Sequence, residues 1–334
     1  LDFRTRPVDA PGVTSSCDIA VIGAGVLGLS VAADLRARGR NVCVIDPGGA
    51  NASSVAAGMI APAMESLLDP FEADPEGRAA VLRAARDLWP GFAERHGIAL
   101  IRDGVDWIGP DADGVIARLA VLGFAAGRTE AGVFCPEDWR IDPVAALGTL
   151  AQGIGRVDGR VAAVRVQAEG WQLTLADGAV MSARAVVLAC GTTFPDLPEA
   201  ARHAVDRVQA IGGRLAFTIR RLVERPARFA GGYAVPLGDG TVIGATMEAG
   251  GLVAEASDLQ DALLRRAQQA LGLQEIGPVE WRSGVRGATA DGLPLSGEVL
   301  PGLHLALAPR RNGWLMAPAL AAQTVAGIEG RQTG

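Results

Sequence analysis

The chain has 334 residues and a formal charge of −6, and all 31 of its basic residues are arginine. Without lysine it cannot form a pyridoxal-phosphate Schiff base, complete a Walker A phosphate loop, or use an amine as nucleophile or base. Its length provides for one large or two medium domains, and its acidic balance argues against a nucleic-acid partner.

Residues 1–16 lack the apolar stretch of a secretory signal. The longest apolar run, 19–33, holds three glycines and a serine and is too short to span a bilayer, so a cytoplasmic protein without a membrane span is expected. Within that run, DIAVI (18–22) has the β-branched apolar pattern of a buried parallel strand. GAGVLG (23–28) follows at once and leads into LSVAADLRARG, which has helical periodicity and stops at Gly39. NVCVID (41–46) is a second buried strand that closes on Asp46. The unit reads as a dinucleotide site. Gly23 permits the tight turn, Gly25 lets a pyrophosphate approach the backbone, and Gly28 allows close helix–strand packing. The helix starting near Gly25 turns its free N–H groups and positive dipole end toward the phosphates, and Asp46 is placed to accept from ribose hydroxyls.

Residues 51–62 (NASSVAAGMIAP) form a loop of small residues, in which Ser53 and Ser54 hold phosphate oxygens, cap a helix, or do both. Residues 72–96 read as one helix with Ala79, Leu82, Ala85, Leu88 and Trp89 on its core-packing face. Paired strands around a turn are predicted over 160–176, and a buried strand running into a Cys190-Gly191 turn over 183–194. Strands follow at 214–219, 232–237 and 241–246, the last two joined through GDG (238–240). An amphipathic helix covers 255–271 and stops at Gly272; a strand at 303–308 precedes a last helix that begins near Asn312. Cys17, Cys43, Cys135 and Cys190 lack metal-ligand spacing and read as free core thiols in a reducing compartment. His96, His203 and His304 form no cluster, so no metal site is expected.

Several of these segments resemble the D-amino-acid-oxidase-like group of FAD-dependent oxidoreductases, and glycine oxidases most closely. They are VIGAGVLGLSVAADLRARGRNVCVID, NASSVAAGMIAP, ARAVVLACG (183–191), GGYAVPLGDGTVIGATME (231–248), GVRGATADGLPLSG (284–297) and RRNGWLMAPALA (310–321), in the group's order over nearly the whole chain. The resemblance implies an α/β fold in which an FAD-binding Rossmann-type domain (1–75, 138–204 and 283–334) is interleaved with a mixed-sheet substrate domain (76–137 and 205–282). It implies non-covalent FAD, held by Gly23, Gly25, Val26, Gly28 and Asp46 and by Ser53, Ser54, Ala57, Gly58 and Met59. Val161, Cys190 and Gly191 complete that wall, with Arg311, Asn312, Gly313 and Trp314. A helix N-terminus at Asn312-Gly313 either faces the flavin N1–C2=O edge and stabilises the reduced ring, or merely packs.

On the substrate side Arg286 matches the group's carboxylate-binding arginine, and Tyr233, the one tyrosine of the chain, a hydroxyl donor near it. Arg311 fits the arginine of the group's R-N-G block, and Met247 either walls the pocket or packs in the core. Glycine oxidases carry an aromatic residue or histidine just before R-N-G, where this chain has Arg310. Arg310 either adds a second positive charge, favouring a larger or doubly acidic substrate, or points to solvent. The implied reaction is oxidation of the C–N bond of glycine, sarcosine or a D-amino acid. Arg286 and Tyr233 hold the carboxylate, hydride passes from Cα to flavin N5, and the imino acid hydrolyses to keto acid and ammonia. No cysteine lies beyond Cys190, so a C-terminal cysteinyl-flavin link is not available, and the oxygen-activating lysine of sarcosine-oxidase-like enzymes is missing. The expected partners are a small carboxylate-bearing amine and oxygen or another electron acceptor, with the oligomeric state open. Alternatives are a same-fold dehydrogenase that passes electrons to a quinone or carrier, and a non-catalytic FAD-binding subunit of a larger complex. An RNA-modifying relative is disfavoured by the acidic balance.

Overall fold

The computed structural model describes residues 15–71, 73–130, 132–252 and 256–330; the expectations for positions 1–14, 72 and 255 lie outside them. The molecule is an α/β protein built on an eight-stranded and a nine-stranded sheet. Strand β1 (Ser15–Ile22), helix α1 (Val26–Ala37) and strand β2 (Val42–Asp46) form the β-α-β unit read from the sequence. β1 pairs in parallel with β2 and with Val180–Leu188; β2 pairs in parallel with Gly155–Asp158, and Val180–Leu188 with Leu303–Leu307.

The alternation of a pleated strand explains why these runs are apolar throughout: each face meets a different layer. Ile19, Val21, Val42 and Val44 pack with α1 and the C-terminal helix Gly313–Gly330, whereas Ala20, Ile22, Cys43 and Ile45 pack with Trp171 and Leu173 of the second layer. That layer is the antiparallel pair Val161–Gln167 and Gly170–Leu175, the two strands predicted over 160–176. At the β1–α1 turn Gly23 takes φ +110°, and a Cβ there would strike the carbonyl oxygen of Ala189; a Cβ on Gly28 would strike that of Gly23. Only glycine permits both approaches.

In the second sheet Gln209–Thr218, Gly240–Gly244 and Gly232–Leu237 run antiparallel, with a two-residue connection at Gly238-Asp239. Its outer face packs Ala216, Ala234 and Ile243 on Leu263 and Ala267 of the helix Ser257–Leu271, while Leu215, Val235 and Val242 turn the other way, with Tyr233 against them. The strand Glu280–Ala288 pairs along its whole length with Gln209–Thr218, so the division expected at 282/283 falls inside a strand of this sheet.

The single helix predicted over 72–96 is two, Pro75–Asp87 and Trp89–His96. Pro90 supplies no amide hydrogen and restarts the helix, which leaves Leu88 at the joint and 46% exposed, off the expected buried face. Ala79, Leu82, Ala85 and Trp89 are buried. The short strands Val105–Ile108, Gly127–Thr129 and Gly132–Cys135 and the helix Ala112–Val121 carry too few residues for a readable period. No helix among the described residues is long and apolar enough to cross a membrane.

Candidate active site

A cavity of about 850 Å³ lies between the two sheets. One end is walled by Gly23, Gly25, Val26 and Asp46, from the turn, the start of α1 and the end of β2. Gly25 offers no side chain to cap α1; instead the Ser53 hydroxyl accepts from the Val26 amide at 3.0 Å. The other first-turn N–H groups of α1 have no intrahelical partner. The Asp46 carboxylate accepts from the amides of Ala24 at 2.8 Å and Gly48 at 2.7 Å, which fixes its orientation at the cavity wall.

The 51–62 loop folds over this end. The Asn51 side chain accepts from the Ser53 and Ser54 amides at 3.0 Å each, a turn that also lines the cavity. Ser53, Ala57 and Met59 reach the wall; Ser54 and Gly58 do not. The Ser54 hydroxyl is occupied on the Asn51 backbone at 3.0 Å, and Gly58, at φ +71°, packs beneath against Ile141. Gly28 is likewise behind the wall. Val161, Cys190 and Gly191 line the middle. Burial pushes the Cys190 thiol up to about 12, so it remains protonated. From the far side come Arg311, Asn312, Gly313 and Trp314, whose indole N–H donates to the Ser53 carbonyl at 3.1 Å. The Asn312 side-chain oxygen is buried with no hydrogen-bond partner at the start of the last helix.

The other end is lined by Tyr233, Met247, Arg286, Arg310 and Arg311, together with Glu65 and Arg228, which carry no motif in the sequence. Glu65 is buried on the helix Pro62–Leu67; it forms an ion pair with Arg228 and a second with Arg311 at 3.0 Å. Burial pushes its pKa up, but Arg228 and Arg311 outweigh that and hold the carboxyl below its ordinary range. Arg228 also lies 5.3 Å from the centre of the Tyr233 ring. Burial raises the Tyr233 phenol and lowers the Arg286 guanidinium relative to their ordinary values. Arg286 donates to Met247 Sδ at 3.1 Å and to the Thr246 carbonyl at 3.3 Å, and no carboxylate lies within ion-pair distance of it among the described residues. Met247 is 45% exposed, so it is a wall residue rather than core packing. The Arg310 guanidinium lies 5.2 Å from the Phe71 ring centre, at half-buried depth rather than free in solvent.

The sequence pattern of a family described as "FAD dependent oxidoreductase" matches residues 18–326. The glycine oxidase structure from Geobacillus kaustophilus superposes with a TM-score of 0.77 at 25% identity, covering 95% of each chain. That of Bacillus cereus ATCC 14579 gives 0.76 at 22% identity, covering 95% of this chain and 96% of the other, which speaks to fold alone. In sequence, the chain is 30% identical over 364 residues to the tRNA 5-methylaminomethyl-2-thiouridine biosynthesis bifunctional protein MnmC of Caulobacter sp. (strain K31), covering 96% of this chain and 56% of that protein. The chain spans about half the length of the curated relatives it matches.

These relatives overturn the exclusion of nucleic-acid partners drawn from composition. Net charge is a sum over the chain and does not describe any one face, and a chain spanning half of its relatives does not report their total charge. The cavity suits FAD: it joins a helix start whose N-cap is a glycine and which only Ser53 caps, an acid at the end of β2 and a buried Asn312 oxygen without a hydrogen-bond partner among the described residues at a second helix start, and FAD is the cofactor. On a match that runs from residue 18 to residue 326, the chain belongs to the FAD dependent oxidoreductase family.

Proposed function

We propose that this protein oxidises the C–N bond of an amine that carries a carboxylate on the carbon next to nitrogen. The observation that carries this reading is Arg286: a half-buried guanidinium on the cavity wall without a carboxylate ion-pair partner among the described residues, beside the only tyrosine of the sequence. Arginine's planar fork accepts a carboxylate with two parallel charge-assisted bonds, and the Tyr233 hydroxyl, kept protonated by burial, donates a third. FAD, when bound, supplies the two-electron acceptor for the hydrogen on the carbon next to nitrogen. Arg286 and Tyr233 hold the substrate so that this carbon is fixed, and the apolar flank of Met247 limits water there. Glu65 keeps Arg311 and Arg228 in place.

In this reading the eight-stranded sheet carries the nucleotide and the nine-stranded sheet roofs the substrate. FAD is held without a covalent bond, since the sequence has no cysteine after Cys190 to form a C-terminal cysteinyl link, and the free thiols suit a cytoplasmic setting. A second reading, favoured by the names of the curated relatives, is that the amine is borne on a tRNA. The holoenzyme is to be incubated with glycine, sarcosine, D-amino acids and undermodified tRNA, under oxygen and with a quinone-type dye. Keto acid and the released amine in equal amounts (ammonia from glycine and D-amino acids, methylamine from sarcosine) support the first reading, and turnover confined to tRNA the second. Turnover with neither removes both. Acid precipitation of the same protein leaves the yellow colour in solution; colour in the pellet contradicts non-covalent attachment.

A further inference from the structure

The substrate end of the cavity holds four arginines, Arg228, Arg286, Arg310 and Arg311, and a single carboxylate, Glu65. Glu65 is shared by Arg228 and Arg311. The other two form no ion pair among the described residues, although Asp69 and Glu65 attract Arg310, and Glu65 and Glu248 attract Arg286, from beyond ion-pair distance. Arg286 meets only a thioether and a carbonyl, and Arg310 lies over the Phe71 ring. Asp69, two residues before Phe71, is ion-paired with Arg78 at 2.7 Å. The two unpaired arginines are held on adjoining backbone, because the Arg310 amide donates to the carbonyl of Gly287 at 3.0 Å. Arg310 also adopts φ +54°, a conformation that costs energy for any residue with a Cβ and that collects at ligand clamps.

Each of these half-buried guanidinium groups is incompletely hydrated and repelled by Arg311, so the ligand that fits best brings a negative charge to each. A single carboxylate satisfies one and leaves the other. We propose that the substrate is an amine bearing two acidic groups, an amino- or imino-dicarboxylate, with one carboxylate on Arg286 and the second on Arg310. This rests on the reaction proposed above and names its substrate class. Arg310 is then a specificity-determining residue, while Glu65 prevents Arg311 from competing for the second carboxylate.

The test compares substrates that differ by one carboxylate: iminodiacetate with sarcosine, and D-aspartate with D-alanine. Anaerobic flavin reduction by the holoenzyme is followed for the wild type, Arg310→Asn and Arg310→Lys. Asparagine is chosen because it tolerates a left-handed backbone, and the flavin spectrum checks that each variant is loaded. The wild type prefers the diacid in at least one pair by roughly tenfold or more, the range expected of a hydrogen-bonded charge pair. Arg310→Asn brings the ratio close to one, and Arg310→Lys restores part of it. Ratios near one in both pairs of the wild type overturn the inference, and so does a preference that Arg310→Asn leaves intact. Reduction by the monoacids alone leaves the reaction standing and removes the diacid class. If none of the four compounds reduces the flavin this inference falls, and if glycine does not reduce it either the proposed reaction falls with it.

Discussion

Asp138 is fully buried, and its two carboxylate oxygens accept from the amides of Ala63 at 2.8 Å and Met64 at 2.9 Å, at the start of the short helix that carries Glu65. Burial pushes its pKa up to about 7, against the partial opposition of those two amides. The folded protein therefore keeps the Asp138 proton up to near pH 7, whereas the unfolded chain releases it near the ordinary value of 3.8. Its contribution to stability is complete below that lower value and is lost as pH rises through about 7, on the order of 2–4 kcal/mol in all. We expect urea midpoints of the wild type to fall between pH 5 and 7.5 more steeply than those of Asp138→Asn, whose absolute stability is lower because an amide offers one acceptor. Parallel pH profiles for the two proteins contradict this. Glu65 works in the opposite sense: its pKa is lowered, so its contribution is lost as pH falls into the carboxylate range. At this scale the sequence was legible where a residue type has few uses. The spacing of Gly23, Gly25 and Gly28 and the position of Asp46 belong to that class. Glu65 and Arg228 were illegible because their partnership joins positions 163 residues apart, which no local pattern encodes.

Among the elements, the last helix couples the core to the site. It starts at Gly313 beside the cavity and packs on α1 and on the helices before and after Leu88. Trp89 is completely buried at that contact; its indole N–H donates to the Leu315 carbonyl at 3.2 Å, and its ring meets Phe92 edge-on at 5.6 Å and Trp314 at 6.4 Å. Replacing Trp89 with alanine should cost about 3–5 kcal/mol of stability, a cavity cost for a large aromatic side chain. It should also weaken FAD binding, because Trp314 donates to the Ser53 carbonyl that backs the cap of α1. A loss below about 1 kcal/mol in urea unfolding, typical of a surface position, would show that the helix does not depend on this contact. The strands and helices with a clear period of two or of 3.6 were readable from apolar spacing alone. The break at Leu88 was signalled by Pro90 but masked by the continuing apolar stripe. The strands between Val105 and Cys135 gain their stability by joining a sheet whose other members lie beyond residue 208, so nothing nearby announces them.

For the whole molecule, the two sheets present their inner faces to one cavity, with the nucleotide fingerprint at one end and an arginine-rich wall at the other. The family and fold were legible because six separated blocks appear in order. Partner choice was not, because a charge of −6 averages over surfaces that a partner meets one at a time. Family membership gives FAD, and the fold alone hosts many reactions, so the decisive chemistry is that of the wall. The most direct measurement is rapid-mixing anaerobic reduction of the bound flavin by glycine and by methylamine, with the best carboxylate amine of the panel set against its decarboxylated counterpart in the same way. Wild type and Arg286→Ala are to be compared. We predict saturable reduction by at least one carboxylate amine and none by its decarboxylated partner. Arg286→Ala should raise the half-saturating concentration roughly 100-fold with FAD still bound. Equal reduction by the decarboxylated amine, or unchanged saturation in Arg286→Ala, would contradict the account.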